Sequence, residues 1–149
     1  MVFIILKGFN MIDLQPKICN ICNGEVEYIT NDKIYGKKYG SGYCYHCKNC
    51  GAYVGTHIPR PKEALGLLAN EEMRNWKQWC HNLFDKLWKG GVKYNEAKTK
   101  LITIKPIMKR NEAYYKLSKE MNIPMKECHF GYFNVKQLKQ AYAILKNKF

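Results

Sequence analysis

A chain of 149 residues with 46% apolar and 13% aromatic side chains suits one compact domain, or a small module docked on another, and is too apolar for overall disorder. Its 25 Lys and Arg against 12 Asp and Glu give a net charge of +13, which favours polyanionic partners. No apolar run reaches the roughly 18–20 residues of a membrane helix, so a membrane partner is excluded and the expected setting is cytoplasmic.

The apolar stretch Val2 to Leu6 lacks the length and basic flank of a secretory core. It reads as a short strand in an N-terminal extension, residues 1–17, or as residues upstream of a start at Met11.

Residues 18–59 carry the clearest chemistry. Five of the seven cysteines fall here, in Cys19-Asn-Ile-Cys22 and Cys44-Tyr-His-Cys47-Lys-Asn-Cys50-Gly51. An odd cysteine count without a secretory leader argues against a disulfide framework. A two-residue gap instead lets one turn aim two sulfurs at one ion, and two such turns complete a tetrahedral thiolate site. Gly51 suits that turn, because glycine adopts positive φ and its amide can approach a sulfur. Cys19, Cys22, Cys47 and Cys50 are therefore the expected ligands, with Cys44 left over and His46 as a substitute ligand. Asn23-Gly24 behind the first pair is a variant of the same turn.

The 24 residues between the pairs exceed the usual spacing of about 15–20. They hold a strand-like Glu25 to Thr30, an Asn31-Asp32 turn, Lys33 to Tyr35, a loop from Gly36 to Gly42, and Tyr43 to Cys47. Two knuckles joined by short strands describe a zinc ribbon. Zinc is preferred to an iron–sulfur or redox role because nothing suggests an electron-transfer partner. One structural Zn2+ on four thiolates leaves the site at −2 and the chain near about +11. Such a closed site has no open position at which to activate water.

Residues 60–149 read as a helical part packed on the ribbon as one unit. Pro59-Arg-Pro61 marks the boundary. Asn70 followed by Glu71 and Glu72 starts a helix well. Met73, Trp76, Cys80, Leu83 and Leu87 form its stripe, widened by Trp79, Phe84 and Trp88, before Gly90-Gly91 stops it. The tryptophans read as buried anchors, or alternatively as base-stacking groups. Between Val92 and Met108, Leu101 to Ile104 suggests a short strand ended by Lys105-Pro106. A second helix is expected from about Arg110 to Met121, with Ala113, Tyr114, Leu117 and Met121 on one face. Pro124 opens a single turn to Cys128, and Asn134 caps a last helix with Val135, Leu138, Tyr142 and Leu145 buried. The fold class expected is α+β: an N-terminal ribbon of short antiparallel strands packed on about three helices.

Charge is unevenly spread: residues 1–59 hold 6 basic and 4 acidic side chains, and residues 60–149 hold 19 and 8. This imbalance points to nucleic acid or an acidic host protein, against the alternative of solvated lysines with no partner. The nucleic-acid candidates are Lys37, Lys38 and Lys48 on the ribbon, with Arg74, Lys77, Lys109 and Arg110. A second possibility is a metal- or His-assisted hydrolase using His57, His81, Asp85 and His129, in which His81 and Asp85 share a helix face. The same histidines also read as core residues tying the last turn to the helix. A third possibility is a protein–protein inhibitor of a host system. Phosphate-binding Gly loops, Gly-x-Ser-x-Gly and His-Glu-x-x-His are all missing from the sequence, and the ribbon together with the basic balance favours a binding module over an enzyme.

The ordered motifs resemble a zinc-finger-containing domain of unknown function found mostly in phage and prophage genomes. The resemblance runs over roughly residues 18 to 149. It is carried by Cys19-Asn-Ile-Cys22, Tyr35-Gly-Lys-Lys-Tyr-Gly40, Cys47-Lys-Asn-Cys50-Gly-Ala-Tyr-Val-Gly-Thr-His57 and Leu65-Gly-Leu-Leu-Ala69. His81-Asn-Leu-Phe-Asp-Lys-Leu-Trp-Lys89 and Glu127-Cys-His-Phe-Gly-Tyr-Phe133 continue it. The chain departs from that pattern in its extra residues between Lys89 and Lys109 and in Cys44. The resemblance implies zinc, a mobile-element origin and hence a host cytosol; it implies no activity.

Overall fold

The structure, a computed structural model, describes residues 3–5 and 11–149. It is a mixed α+β chain, as the patterning predicts, and it divides into two compact units. The first runs to Arg74 and regains Gly131–Asn134; the second is Asn75–Phe130 with Val135–Phe149.

In the first unit, β1 (Phe3–Ile5) pairs antiparallel with β2 (Met11–Asp13), bringing Ile4 opposite Ile12. Of the predicted strand Val2 to Leu6, the two end residues lie outside the described residues. β3 (Val26–Thr30), β4 (Tyr43–Cys47) and β5 (Tyr53–Gly55) form an antiparallel sheet in that order. Its register sets Tyr28 opposite Tyr45, and His46 between Glu27 and Tyr53. Where a simple turn was expected at Asn31-Asp32, the chain makes one helical turn, α1 (Asp32–Tyr35), closed by Gly36 at φ +82°.

The ribbon's core is small: Cys19, Tyr45, Cys47, Ala52, Val54, Ala64 and Leu68, with Cys22 and Val26 packed against it. Two of its seven members are ligand cysteines and two more are alanines, so little apolar area holds these strands without a cross-link. Residues 56–69 run back along β5 through bridges from Thr56 to Ala64 and from Tyr53 to Ala69. The Asn20 side chain pins this return, donating to the Leu68 carbonyl (3.0 Å) and accepting from the Leu68 amide (2.9 Å).

Helix α2 (Glu71–Trp88) begins as the sequence requires, with the Asn70 carboxamide accepting from the Met73 amide at 2.9 Å. Met73, Cys80, Phe84 and Leu87 are its buried stripe, whereas Trp79 is 46% exposed. After it comes a hairpin of β6 (Gly91–Tyr94) and β7 (Leu101–Ile104), with Tyr94 opposite Leu101. Its first strand was not legible, because Gly90-Gly91 reads as a stop and Gly91 in fact opens the strand. The amides of Ile107 and Met108 then donate to the Leu87 carbonyl, satisfying the end of α2.

Helix α3 (Arg110–Met121) buries Ala113, Leu117 and Met121, as expected, and also Ser118. A 3-10 turn at Met125–Glu127 follows Pro124. Helix α4 (Val135–Asn147) buries Leu138, Ala141, Ile144 and Leu145. Val135 and Tyr142, expected inside, are only half-buried. Tyr142 instead leans edge-on against Trp76 (5.5 Å between centroids), and the small Ala141 occupies the buried line.

Candidate metal centre

Each knuckle closes by the same pair of backbone hydrogen bonds. The Cys19 amide donates to the Gly24 carbonyl (2.8 Å) and the Asn23 amide to the Cys19 carbonyl (3.0 Å). In the second knuckle the Cys47 amide donates to Ala52 (2.8 Å) and Gly51 to Cys47 (3.1 Å). Both turns need a left-handed residue in the same place. Gly51 supplies it at φ +80° and Asn23 at φ +62°, asparagine being among the residues that tolerate it. Asn23 is thus the counterpart of Gly51, and Gly24 has a different duty.

The two turns bring four sulfurs together. Cys19 and Cys50 Sγ lie 3.7 Å apart, Cys22 and Cys47 Sγ 3.5 Å, and all four fall within 4.8 Å of one another. Zinc–sulfur bonds of about 2.3 Å in a tetrahedron put sulfurs about 3.8 Å apart. The cage therefore fits one zinc ion, held by Cys19, Cys22, Cys47 and Cys50. Amides steady the sulfurs: Gly24 N–H on Cys22 (3.3 Å), Ile21 N–H on Cys19 (3.4 Å), and Asn49 and Cys50 N–H on Cys47 (3.4 Å each). The Asn49 side chain donates across the site to Cys22 at 3.4 Å.

Their acidities reflect the hydrogen bonds each sulfur receives, desolvation, and the sulfurs beside it. The Asn49 carboxamide and the Gly24 amide draw the Cys22 thiol down to about 6. Cys50, although the Ala52 amide lowers it, is pushed up to about 12 by desolvation and by the adjacent sulfurs. Four thiolates share this space only around a cation.

A profile of the zinc-finger-containing domain family matches residues 15–148. The chain belongs to that family. No curated protein and no solved structure is significantly similar to it.

Gly24 is required by closeness to the site. A Cβ there would stand 2.7 Å from Asn49 Cβ and 3.1 Å from the sulfurs of both Cys22 and Cys47. Gly24→Ala is expected to weaken zinc binding about 10- to 100-fold, the range seen when groups supporting the ligands are disturbed, as measured by competition with a chromophoric chelator. Wild-type affinity in that variant would show that the site tolerates the added methyl.

Cys44 is buried in β4 outside the cage, its thiol pushed up by burial and by Glu27. His46 is committed elsewhere, its Nδ1 lying 2.8 Å from Glu27 Oε2. In the second unit His81 and Asp85 share a face of α2, as predicted. Neither His81 nor His129 is fully buried as a core residue would be, although both rings lie against aromatic neighbours that shield them in part. His81 packs edge-on against Phe130 (4.7 Å), and His129 lies 5.9 Å from the Tyr114 ring. Each imidazole is held below its ordinary value by desolvation, Asp85 opposing this at His81 and Arg110 adding to it at His129. Asp85 itself pairs with Lys89 at 3.6 Å. His57 is a half-buried residue of the first unit. Among the described residues, the cluster of three or more side chains able to hold a metal is the four cysteines.

The proposed cations divide between the units. Lys37, Lys38, Lys48 and Arg74 belong to the first; Lys77, Lys109 and Arg110 to the second. Lys48 pairs with Glu25 at 3.3 Å, both side chains being exposed. Arg110 lies over the rings of Trp88 (5.5 Å) and Tyr114 (4.9 Å). Lys37 and Arg74 sit on a row of tyrosines that sequence reasoning passed over. The Lys37 ammonium is 5.1 Å from the Tyr39 ring centre, and the Arg74 guanidinium 4.4 Å from that of Tyr53. Between them, Tyr35 meets Tyr39 and Tyr53 edge-on at 5.5 and 6.0 Å. The available signal was density: Tyr28, Tyr35, Tyr39, Tyr43, Tyr45 and Tyr53 fall within one short ribbon. Among the described residues, no helix is long and apolar enough to cross a membrane.

Proposed function

We propose that this chain is a basic zinc-ribbon binding module of the phage or prophage type, whose zinc is structural and whose partner is nucleic acid. The observation that carries the reading is the row of tyrosine rings on the ribbon ending in Lys37 and Arg74. Interleaved rings and cations suit a polyanion with π-faces, because phosphates meet the charges while bases meet the rings. A closed tetrahedral site does no chemistry on such a partner. It holds the sheet that displays the row, so binding and metal are linked through folding.

Anisotropy of labelled DNA and RNA oligonucleotides over a salt series tests this. Affinity is expected to fall linearly with salt on logarithmic axes, with a slope near −0.7 to −0.9 per phosphate contacted. Replacing Lys37 and Lys38 by Ala should flatten that slope. Absence of binding to any DNA or RNA at low salt would remove the reading, leaving an acidic host protein as the partner to pursue.

A further inference from the structure

The end of α1 and the loop that follows it show two large aromatic side chains to solvent on a backbone that is tied down. Tyr35 and Tyr39 are 48% and 51% exposed. Asn31, itself 5% exposed, clamps the loop from beneath. Its Nδ2 donates to the Tyr39 carbonyl (2.8 Å), and its Oδ1 accepts from the Tyr39 amide (3.1 Å). Backbone bonds from Gly42 to the Tyr39 carbonyl (2.8 Å) and from Asn31 to the Gly42 carbonyl (2.9 Å) close the loop further. Folding gains little from rigidly displaying half-exposed rings, whereas a binding surface gains by having the ordering entropy already spent.

Those rings border a groove of about 450 Å³, lined by Tyr35, Tyr39, Ser41, Tyr43, Thr56 and Leu65 among others. Its walls are mainly aromatic and apolar. Ser41 and Thr56 supply a polar spot: one hydroxyl donates to the other at 2.5 Å, and the accepting one donates in turn to the Tyr43 carbonyl, 3.3 Å from either oxygen. Behind it Tyr43 stacks flat on Tyr28, with centroids 5.2 Å apart and planes 4° from parallel. The surrounding charge is cationic. Lys37 lies over Tyr39, Arg74 over Tyr53, and Lys33 and Lys38 stand near Asp32, whose carboxyl is lowered chiefly by its hydrogen bond with Thr30, with its own backbone amide and these two lysines adding less.

We infer that the Tyr35–Tyr39 groove takes an unpaired nucleobase, with the flanking phosphates of a single strand on Lys37 and Lys38. This rests on the nucleic-acid reading above and narrows it to single strands. The selectivity is geometric. A duplex hides the faces of its bases and shows only their edges, so rings set to stack are useless to it. A groove of this volume has room for a single base. Charge complementarity supplies the attraction, while the rings, which carry no charge, discriminate paired from unpaired bases.

The test uses the full zinc-loaded chain, a single strand carrying 2-aminopurine, and a hairpin duplex of the same composition. The single strand should bind at least about tenfold more tightly than the duplex, with 2-aminopurine emission changing on binding as the base stacks. Tyr35→Ala and Tyr39→Ala should each weaken single-strand binding about 5- to 100-fold without altering the salt slope. Tyr39→Phe, which keeps the ring, should bind like the parent, and zinc content and circular dichroism establish that each variant is folded. Should an alanine variant unfold, Tyr39→Leu against Tyr39→Phe makes the same comparison. Equal binding of single strand and duplex, or folded ring-free variants that bind like the parent, would overturn the inference and leave nucleic-acid binding standing. Failure of every oligonucleotide to bind at low salt would overturn both.

Discussion

Cys47→Ser is expected to release the zinc and unfold the ribbon, while Cys44→Ser keeps metal content near one ion per chain. Cys47 is fully buried in the ribbon's core and shares the cage with Cys19, Cys22 and Cys50. Structural zinc contributes an apparent 10–16 kcal/mol, comparable with or above the whole stability of a small domain at about 5–15 kcal/mol. The packed residues of the ribbon are few and two of the seven are ligands, so little remains to hold β3, β4 and β5 once the ion leaves. Cys44 lies only three residues away in the same strand, but its sulfur is outside the cage and its thiol is kept neutral by burial. Replacing it costs a buried contact and no ligand. Elemental analysis of both purified variants, with far-ultraviolet circular dichroism, checks this. Zinc loss from Cys44→Ser as complete as from Cys47→Ser would mean that the second knuckle has been paired wrongly.

Gly66→Ala should destabilise the first unit by more than about 3 kcal/mol, beyond the usual range for overpacking. A Cβ at Gly66 would lie 2.2 Å from the carbonyl oxygen of Gly131 and 2.7 Å from its carbonyl carbon. Backbone atoms cannot rotate away as a side chain does, so the two strands of chain must part. Parting them breaks the bond from the Leu67 amide to the Gly131 carbonyl (3.0 Å) and disturbs Leu67 and Tyr132 against Ile12 and Leu14. Gly36→Ala is the control: its surroundings are open, so only the cost of a left-handed backbone, about 1 kcal/mol, is expected. Urea titrations of the two variants give the comparison, and a Gly66→Ala midpoint equal to that of the parent would disprove the close approach.

Sequence reasoning recovered the four ligands because a knuckle is a local object. Two residues between cysteines and a left-handed residue behind them specify the turn without reference to the rest of the chain. The start of α2 at Asn70 and the limits of α3 were legible for the same reason, caps and breakers acting within a turn or two of the residues they control. The buried face of α4 was less legible. Tyr142 and Ala141 are both acceptable to the pattern, and only a neighbour such as Trp76 decides which of them stays at the rim. Strand β6 was missed because an exposed two-stranded hairpin has no buried face to impose alternation.

The order of the shared motifs was visible in the chain, but their pairing was not. Leu65-Gly-Leu-Leu-Ala69 and Glu127-Cys-His-Phe-Gly-Tyr-Phe133 look independent until Gly66 and Gly131 meet, joining segments 65 residues apart. Likewise six tyrosines are only a composition until the β3–β5 register and the Asn31 clamp set some of them in a row. Zinc chemistry could be read from residue types because coordination needs donors at short, fixed spacing. Which glycines must stay bare, and which rings face a groove, depends on contacts between residues far apart along the chain, and those arise only when it folds.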